Sequence, residues 1–453
     1  MAAQILAICI FVGMFLLIIL DKFERYYITL ASGALVLALV FGVCMHSMSA
    51  IWGTLNLPSI FTSGFWYGAS EEGNSGINWS TIFFIAGMMI MVEGLGKAGF
   101  FRWLCLTLAK LVRYRIVPLL VCFMVLSAVL SMFIDSITVV LFLATVTLEL
   151  AQTMKFNPIP MILSEVFCAN LGGAATMCGD PPNIIVGTSL GYTFFDFISN
   201  TGVAVAICFV LVLIYFVLCF RKRLLRDEKN SGAAVCPQPG TAITNRPAFL
   251  LSAGVFLLAV ILLATHAQTK LTVACIGVIV AALSLVVIGC TSGGKAVLEI
   301  IKGVDYKTLL FFIGLFVSVA GLKETGVLDV IARFITTVSG GNAAIIVVII
   351  LWISAVTSAF VDNIPFAATM IPVVRSIAAA SGIDIGVLAW ALSLGTDLGG
   401  NATPIGASAN VVGTSVAAKG GYPISWGVYC KYCVGATVLV IAVSMGYLFL
   451  RYL

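Results

Sequence analysis

Charge is what this chain has least of. Asp, Glu, Lys and Arg make up 9% of its 453 residues, against 61% hydrophobic. That balance excludes a soluble globular chain, in which about a quarter of residues are charged. Histidine is almost missing: His46 and His266 both sit at segment ends, which argues against a His-based catalytic or zinc site. The 13 cysteines are scattered through apolar segments, where a small core residue is the ordinary reading. Cys430 and Cys433 form the one CxxC, which alone is weak evidence for metal. No nucleophile–base pair, metal cluster or nucleotide loop stands out, so neither an enzyme, a cofactor nor a nucleic-acid partner is expected.

What the chain does have is long apolar runs, among them 5–20, 203–220, 249–264 and 434–450, each long enough to span a bilayer or nearly so. The first run lacks a basic lead and a small-residue cleavage site, and its positive charges, Lys22 and Arg25, follow it. It reads as a first helix with its N-terminus outside rather than as a removed signal. The stretch 46–78, acidic at Glu71-Glu72, reads as an external loop.

One polar signature occurs twice, 227 residues apart. Ser131-Met-Phe-Ile-Asp135-Ser-Ile recurs as Ser358-Ala-Phe-Val-Asp362-Asn-Ile, and Leu171-Gly-Gly-Ala-Ala-Thr176-Met-Cys-Gly179-Asp-Pro-Pro-Asn183 as Leu398-Gly-Gly-Asn-Ala-Thr403-Pro-Ile-Gly406-Ala-Ser-Ala-Asn410. Residues 78–183 slide onto their copy without a gap, with 24 identities in 106 positions crowded around these blocks. A duplicated, Gly/Pro-broken polar pair in apolar sequence is what a transport site between repeats looks like. The charged and then Pro/Gly-bearing segment 221–247 reads as a cytoplasmic linker between a first repeat, 1–220, and a second, 248–453.

If 116–153 and 343–380 are re-entrant hairpins, each repeat has five crossings, and the odd number inverts the second relative to the first. Charge supports this map. The side holding 21–25, 97–115, 155–157, 221–247, 291–307 and 416–431 carries 19 of the 24 Lys and Arg; the other carries Lys270, Lys323, Arg333, Arg375 and Arg451. The positive-inside rule makes the first side cytoplasmic and leaves both termini outside. On this map no Lys or Arg lies in the apolar centre. The expected fold is an all-α polytopic membrane protein of two inverted repeats, each with a re-entrant hairpin and a broken helix (158–190 and 386–415).

Asp135 and Asp362 each sit mid-way along an apolar run, where a carboxylate is costly unless paired, hydrated or protonated and is a functional candidate by default. The plainer alternative is a cap tying a hairpin tip to a helix end. Ser136, Thr138 and Asn363 add ligands beside them. Gly172, Gly173, Gly399 and Gly400 disfavour continuous helix and Pro181, Pro182 and Pro404 remove donors, so hinges are expected there; close helix packing is the plainer reading of the glycines. Thr176, Asn183, Asn401, Thr403, Ser408 and Asn410 supply uncharged oxygens suited to Na⁺ or a substrate. The repeats also differ: Asp180 faces Ala407, Asp397 faces Asn170, Glu93 faces Ala320 and Glu165 faces Leu392. Unmatched carboxylates are the better candidates for proton coupling, because removal from water favours the neutral carboxyl. Asp180 and Asp397 rank first and Glu165 next; Glu93 and Glu149 read as interfacial or paired with a basic residue.

These motifs, with Asp362-Asn-Ile-Pro-Phe-Ala-Ala-Thr-Met-Ile-Pro372, resemble the ion transporter superfamily, in its arsenite permease and P protein branch, related to NhaD-type Na⁺/H⁺ antiporters and dicarboxylate carriers. The likeness covers most of the chain from about residue 79. It implies scaffold and transport domains in each protomer of a homodimer, with hairpin tips Asp135-Ser136 and Asp362-Asn363 and broken helices enclosing the substrate and moving like an elevator. The first tip departs from the family's usual Asp-Asn, at the first cation site. The expected function is H⁺- or Na⁺-coupled secondary transport of a small inorganic ion or an arsenite-type oxyanion across the cytoplasmic membrane. Na⁺/H⁺ antiport, or a channel or uniporter on the same fold, are the alternatives.

Overall fold

The computed structural model of the protein describes residues 1–20, 22–68, 76–230 and 237–453. The acidic pair at 71–72 and the middle of the linker lie outside them. Among the described residues the fold is all-helical, without strands, and eleven helices are long and apolar enough to cross a membrane. Ala2–Leu20 leaves Ile5, Leu16 and Leu20 more than half exposed (59%, 56% and 58%). An apolar face of that size is unfavourable in water and suited to hydrocarbon, so this is an integral membrane protein.

The repeat is visible in how helices start. Asn78 opens Trp79–Lys97 and accepts from the Thr81 amide at 3.0 Å. Its copy Asp305 opens Tyr306–Glu324 and accepts from the Thr308 amide at 3.1 Å. The two repeats also exchange partners. Trp79–Lys97 packs on Val273–Ser292, and its copy Tyr306–Glu324 packs on Arg25–Leu35. Glycine sits at both crossings because the backbones nearly touch. A Cβ on Gly87 would lie 2.2 Å from the Gly277 carbonyl oxygen, and one on its copy Gly314 would lie 2.3 Å from the Thr29 carbonyl carbon.

The same exchange organises the segments carrying the motifs. Each runs helix–break–helix: hairpin 1 is Ile116–Ser131 and Ser136–Met154, and hairpin 2 is Ala343–Phe360 and Asn363–Ser381. Broken helix 1 is Ile159–Gly173 and Pro181–Leu190; broken helix 2 is Ile385–Gly399 and Ser408–Lys419. The first half of each broken helix packs on the first arm of its own hairpin. The second half packs on the second arm of the other repeat's hairpin.

Polar contacts gather five of the six Lys/Arg-rich segments on one face. Lys97 pairs with Glu299 at 3.2 Å, Lys110 donates to Gln238 at 3.3 Å, Arg115 meets Glu228 at 3.9 Å and Lys307 pairs with Glu24 at 2.7 Å. The amide of Asn157 donates to Asp227 at 3.1 Å. Within the stretch 46–78 the described residues include two short helices, Met48–Leu55 and Ser63–Trp66, and Ser47 caps the first through the Ala50 amide at 3.2 Å. The first half of each broken helix ends at these glycines, at Gly173 and at Gly399, so each break begins beside them. They permit contact: a Cβ on Gly172 would lie 2.1 Å from the Ala128 carbonyl oxygen, and one on Gly399 2.3 Å from the Ala355 Cα. Close packing is what the sequence placed there.

Candidate functional site

The two hairpin tips are built alike from one physical need. Where a hairpin breaks, the next helix starts with unpaired amides, and an aspartate at that point supplies the missing acceptor. Asp135 accepts from the Thr138 amide and hydroxyl, both at 2.9 Å; Asp362 accepts from the Ile364 amide at 3.2 Å. The capping role is therefore present at both tips.

The breaks in the broken helices are tied by a matched set of staples. Thr176 donates to the Met132 carbonyl at 2.5 Å, and its copy Thr403 donates to the Ala359 carbonyl. Asn183 donates to the Gly173 and Thr176 carbonyls at 3.1 and 3.0 Å; its copy Asn410 donates to those of Gly400 and Thr403, both at 2.8 Å. Thr176, Thr403, Asn183 and Asn410 thus spend their donors on backbone left open at the breaks. The side-chain oxygens of the two asparagines are taken as well, by Ser393 and by Asn170 at 2.8 Å. Pro181 and Pro182 open the helix after the first break, where a missing N–H costs nothing, and Pro404 lies in the second break.

The structure separates the five carboxylates Asp180, Asp397, Glu165, Glu93 and Glu149. Asp180 stands at the start of Pro181–Leu190, 2% exposed; its Oδ1 accepts from Ser136 at 2.6 Å and its Oδ2 has no partner. Asp397 is fully buried within electrostatic reach of Asp180, beside the side-chain amides of Asn183 and Asn363, yet neither oxygen meets a donor at hydrogen-bond geometry. Glu165 is buried between hairpin 1 and broken helix 1, takes 2.5 Å from Thr147 and leaves Oε2 unpartnered. Glu93 lies 4.0 Å from Lys97, and Glu149 pairs with Arg102 at 2.6 Å, as a basic partner for each would have it.

A cavity of about 720 Å³ opens between the Trp79–Lys97 and Tyr306–Glu324 helices and the motif-bearing segments. Asp135, Thr138, Asp362, Ser408, Cys178 and Arg25 line it. Asp180 lies within electrostatic reach of both Asp135 and Asp362, so the first tip and broken helix 1 come together with the second tip. Asn170 completes the deep layer, donating to Asn401 and Asn410 at 2.9 and 2.8 Å. Its alignment with Asp397 was the available signal for it.

Arg25, in the Lys/Arg-rich segment 21–25, reaches the second tip. Its Nη1 lies 2.7 Å from Asp362 Oδ2, which Ser408 also meets at 3.0 Å. The helix Arg25–Leu35 begins beside the second tip, which brings the arginine into the cavity. Asp135 and Asp180 have no ion pair among the described residues. Their oxygens, with Ser136 and Thr138, form a hard donor set that suits Na⁺ or a proton.

A polytopic helical bundle with paired broken helices around a charged, cavity-lining centre defines a membrane transporter. The chain belongs to the citrate transporter family, whose model matches residues 15–395. It is 33% identical over 451 residues to an uncharacterized transporter of Mycobacterium tuberculosis, covering 99% of both chains. It is 33% identical over 454 residues to a 46 kDa membrane protein of Mycobacterium leprae, again covering 99% of both. It is 28% identical over 450 residues to the mouse P protein, covering 83% of this chain and 54% of that one, in keeping with the resemblance read from the motifs. Two solved structures share the fold. The YdaH transporter of Alcanivorax borkumensis has a TM-score of 0.54 at 16% identity, covering 81% of this chain and 84% of that one. MtrF of Neisseria gonorrhoeae has a TM-score of 0.56 at 12% identity, covering 88% and 84%.

Proposed function

We propose that the protein is an ion-coupled secondary active carrier, driven by H⁺ or Na⁺ through Asp135, Asp180, Asp362 and Asp397. Its solute is small and oxygen-rich; citrate, from the family's description, and arsenite, from the motif resemblance, are the two candidates. The observation that carries this reading is the convergence of Asp135 and Asp362, one from each repeat, on one cavity, with Asp180 within electrostatic reach of both and Arg25 as the basic partner. A site that must load a cation and unload it again needs acidic oxygens that are not permanently neutralised.

The motif-bearing segments act as the moving body and the crossed helices 79–97, 273–292, 306–324 and 25–35 as the scaffold, in an elevator cycle. The partner exchange between repeats and the gathering of Lys and Arg on one face support an inverted pair with that face cytoplasmic, both termini outside, in the cytoplasmic membrane. The cavity between the two bodies supports the elevator; a homodimer follows from the resemblance. A second reading, Na⁺/H⁺ antiport, is favoured by Asp135 and Asp180, which lack a basic partner among the described residues.

Counterflow in proteoliposomes tests the class. Vesicles preloaded with unlabelled citrate or arsenite should transiently accumulate the labelled solute above its equilibrium level. Equilibration without overshoot for every solute, Na⁺ included, would make the protein a channel.

A further inference from the structure

Arg25 presents a charge problem that the carrier reading leaves open. It belongs to the helix Arg25–Leu35 packed in the crossed-helix body, while Asp362 belongs to the tip of hairpin 2. The 2.7 Å ion pair therefore bridges the two bodies across the mouth of the cavity. The two partners are placed differently: the Asp362 side chain is 5% exposed and that of Arg25 34%. The guanidinium thus has free donor surface facing the cavity, and its planar fork suits a carboxylate or another oxyanion.

The nearby charges show what happens when such a ligand arrives. In the mouth, Lys307 is held by Glu24 at 2.7 Å and Glu93 lies 4.0 Å from Lys97; Lys22 and Asp305 line the rim, and Asp305 takes the Thr308 hydroxyl at 2.5 Å. Behind Asp362 stand Asp135 and Asp180, both acidic. Arg25 is thus the sole cation in contact with this carboxylate cluster among the described residues. An anion that captured Arg25 would leave Asp362 uncompensated beside two further carboxylates and a new negative charge. That state is unfavourable unless Asp362 takes up a cation.

We infer that Arg25 is a shared counter-ion, pairing with Asp362 when the cavity is empty and with an anionic group of the solute when H⁺ or Na⁺ occupies Asp362. The ligand class is a small carboxylate or oxyanion that binds together with a cation. Coupling is then an exchange of partners at one guanidinium. By linkage the effect is reciprocal: whatever factor the cation adds to anion affinity, the anion adds to cation affinity. The inference rests on the carrier reading and narrows its solute to an anion.

Calorimetric binding of citrate to the purified full-length protein tests it, with Na⁺ or choline as the cation and at two pH values. The wild type should bind citrate about tenfold more tightly when Na⁺ is present or the pH is lowered, the size of a typical coupling between sites. Asp362→Asn should bind citrate with no dependence on either cation, because nothing competes for Arg25. Arg25→Gln should lose at least tenfold in affinity, with Arg25→Lys between it and the wild type. Melting temperatures within a few degrees of the wild type establish that each variant is folded; Arg25→Lys and Asp362→Asn keep the test decisive if Arg25→Gln is not. Citrate binding that is unchanged in Arg25→Gln, or lost in Asp362→Asn, overturns the partner exchange while leaving the carrier reading intact. A wild type that exchanges Na⁺ for H⁺ and binds neither citrate nor arsenate overturns the inference and replaces the anion carrier with the antiporter.

Discussion

The two hairpin tips share a sequence pattern, a capping geometry and a position in their repeats, yet they carry charge differently. At the first tip Asp135 is held by Thr138 alone, and Asp180 by Ser136 on that tip. At the second, Asp362 is held by Arg25 and Ser408. The hydroxyl and the carboxylate have exchanged places: Ser136 on the tip meets Asp180 on the broken helix, whereas Asp362 on the tip meets Ser408 on the broken helix. A gene duplication gives symmetric scaffolding cheaply, but a carrier that loads and releases needs two unlike half-sites. The staples stay matched because they hold backbone; on the proposed function the carboxylates diverge because they hold ions.

Substitution at each tip tests how far that difference reaches. The largest effect is expected for Asp362→Asn, which should lower coupled flux in proteoliposomes by about a hundredfold or more, as loss of a charged contact at a site would. The variant should still purify as a folded protein. Asp135→Asn should lose cation dependence of flux while retaining citrate binding within about threefold, since only a capping acceptor is weakened there. If Asp135→Asn also lowers coupled flux by about a hundredfold, the tips are equivalent and the comparison fails.

Matched positions should behave alike. Gly172→Val and Gly399→Val each push a side chain into a neighbouring backbone at 2.1 and 2.3 Å. Each should destabilise by about 1–3 kcal/mol or more, read as a similar drop in melting temperature. Asn170→Ala removes the donor to Asn401 and Asn410 and should cost about 1–3 kcal/mol, because two buried amide oxygens lose their partner. The smallest effect is expected for Ser136→Asn, which makes the first tip match Asn363 in the second. Na⁺ stimulation of flux should change by less than about tenfold, since the carboxylates remain.

Much of the fold was legible because apolar length and a repeated motif report it directly. Helix–break–helix at 116–153 and 343–380 follows from an aspartate placed mid-run, and the clustering of Lys and Arg foretold which segments share a face. The site was legible in its parts but not in their jobs. Spacing shows that Thr and Asn recur, but not whether they act as donors or acceptors. Thr176 and Asn183 turn out to tie backbone carbonyls. The glycines are helix ends and close contacts at once, and composition cannot register a neighbouring backbone 2.1 Å from an imagined Cβ. Arg25 escaped because its role depends on a contact across 337 residues, which no local pattern encodes.

The most direct test of the account is concentrative uptake. Proteoliposomes given an inward Na⁺ gradient, then a pH gradient, at equal citrate or arsenite on both sides, should accumulate solute inside with the wild type under at least one gradient. Asp362→Asn should accumulate none. Uptake that never exceeds the outside concentration, or Asp362→Asn vesicles that accumulate solute like the wild type, would contradict it.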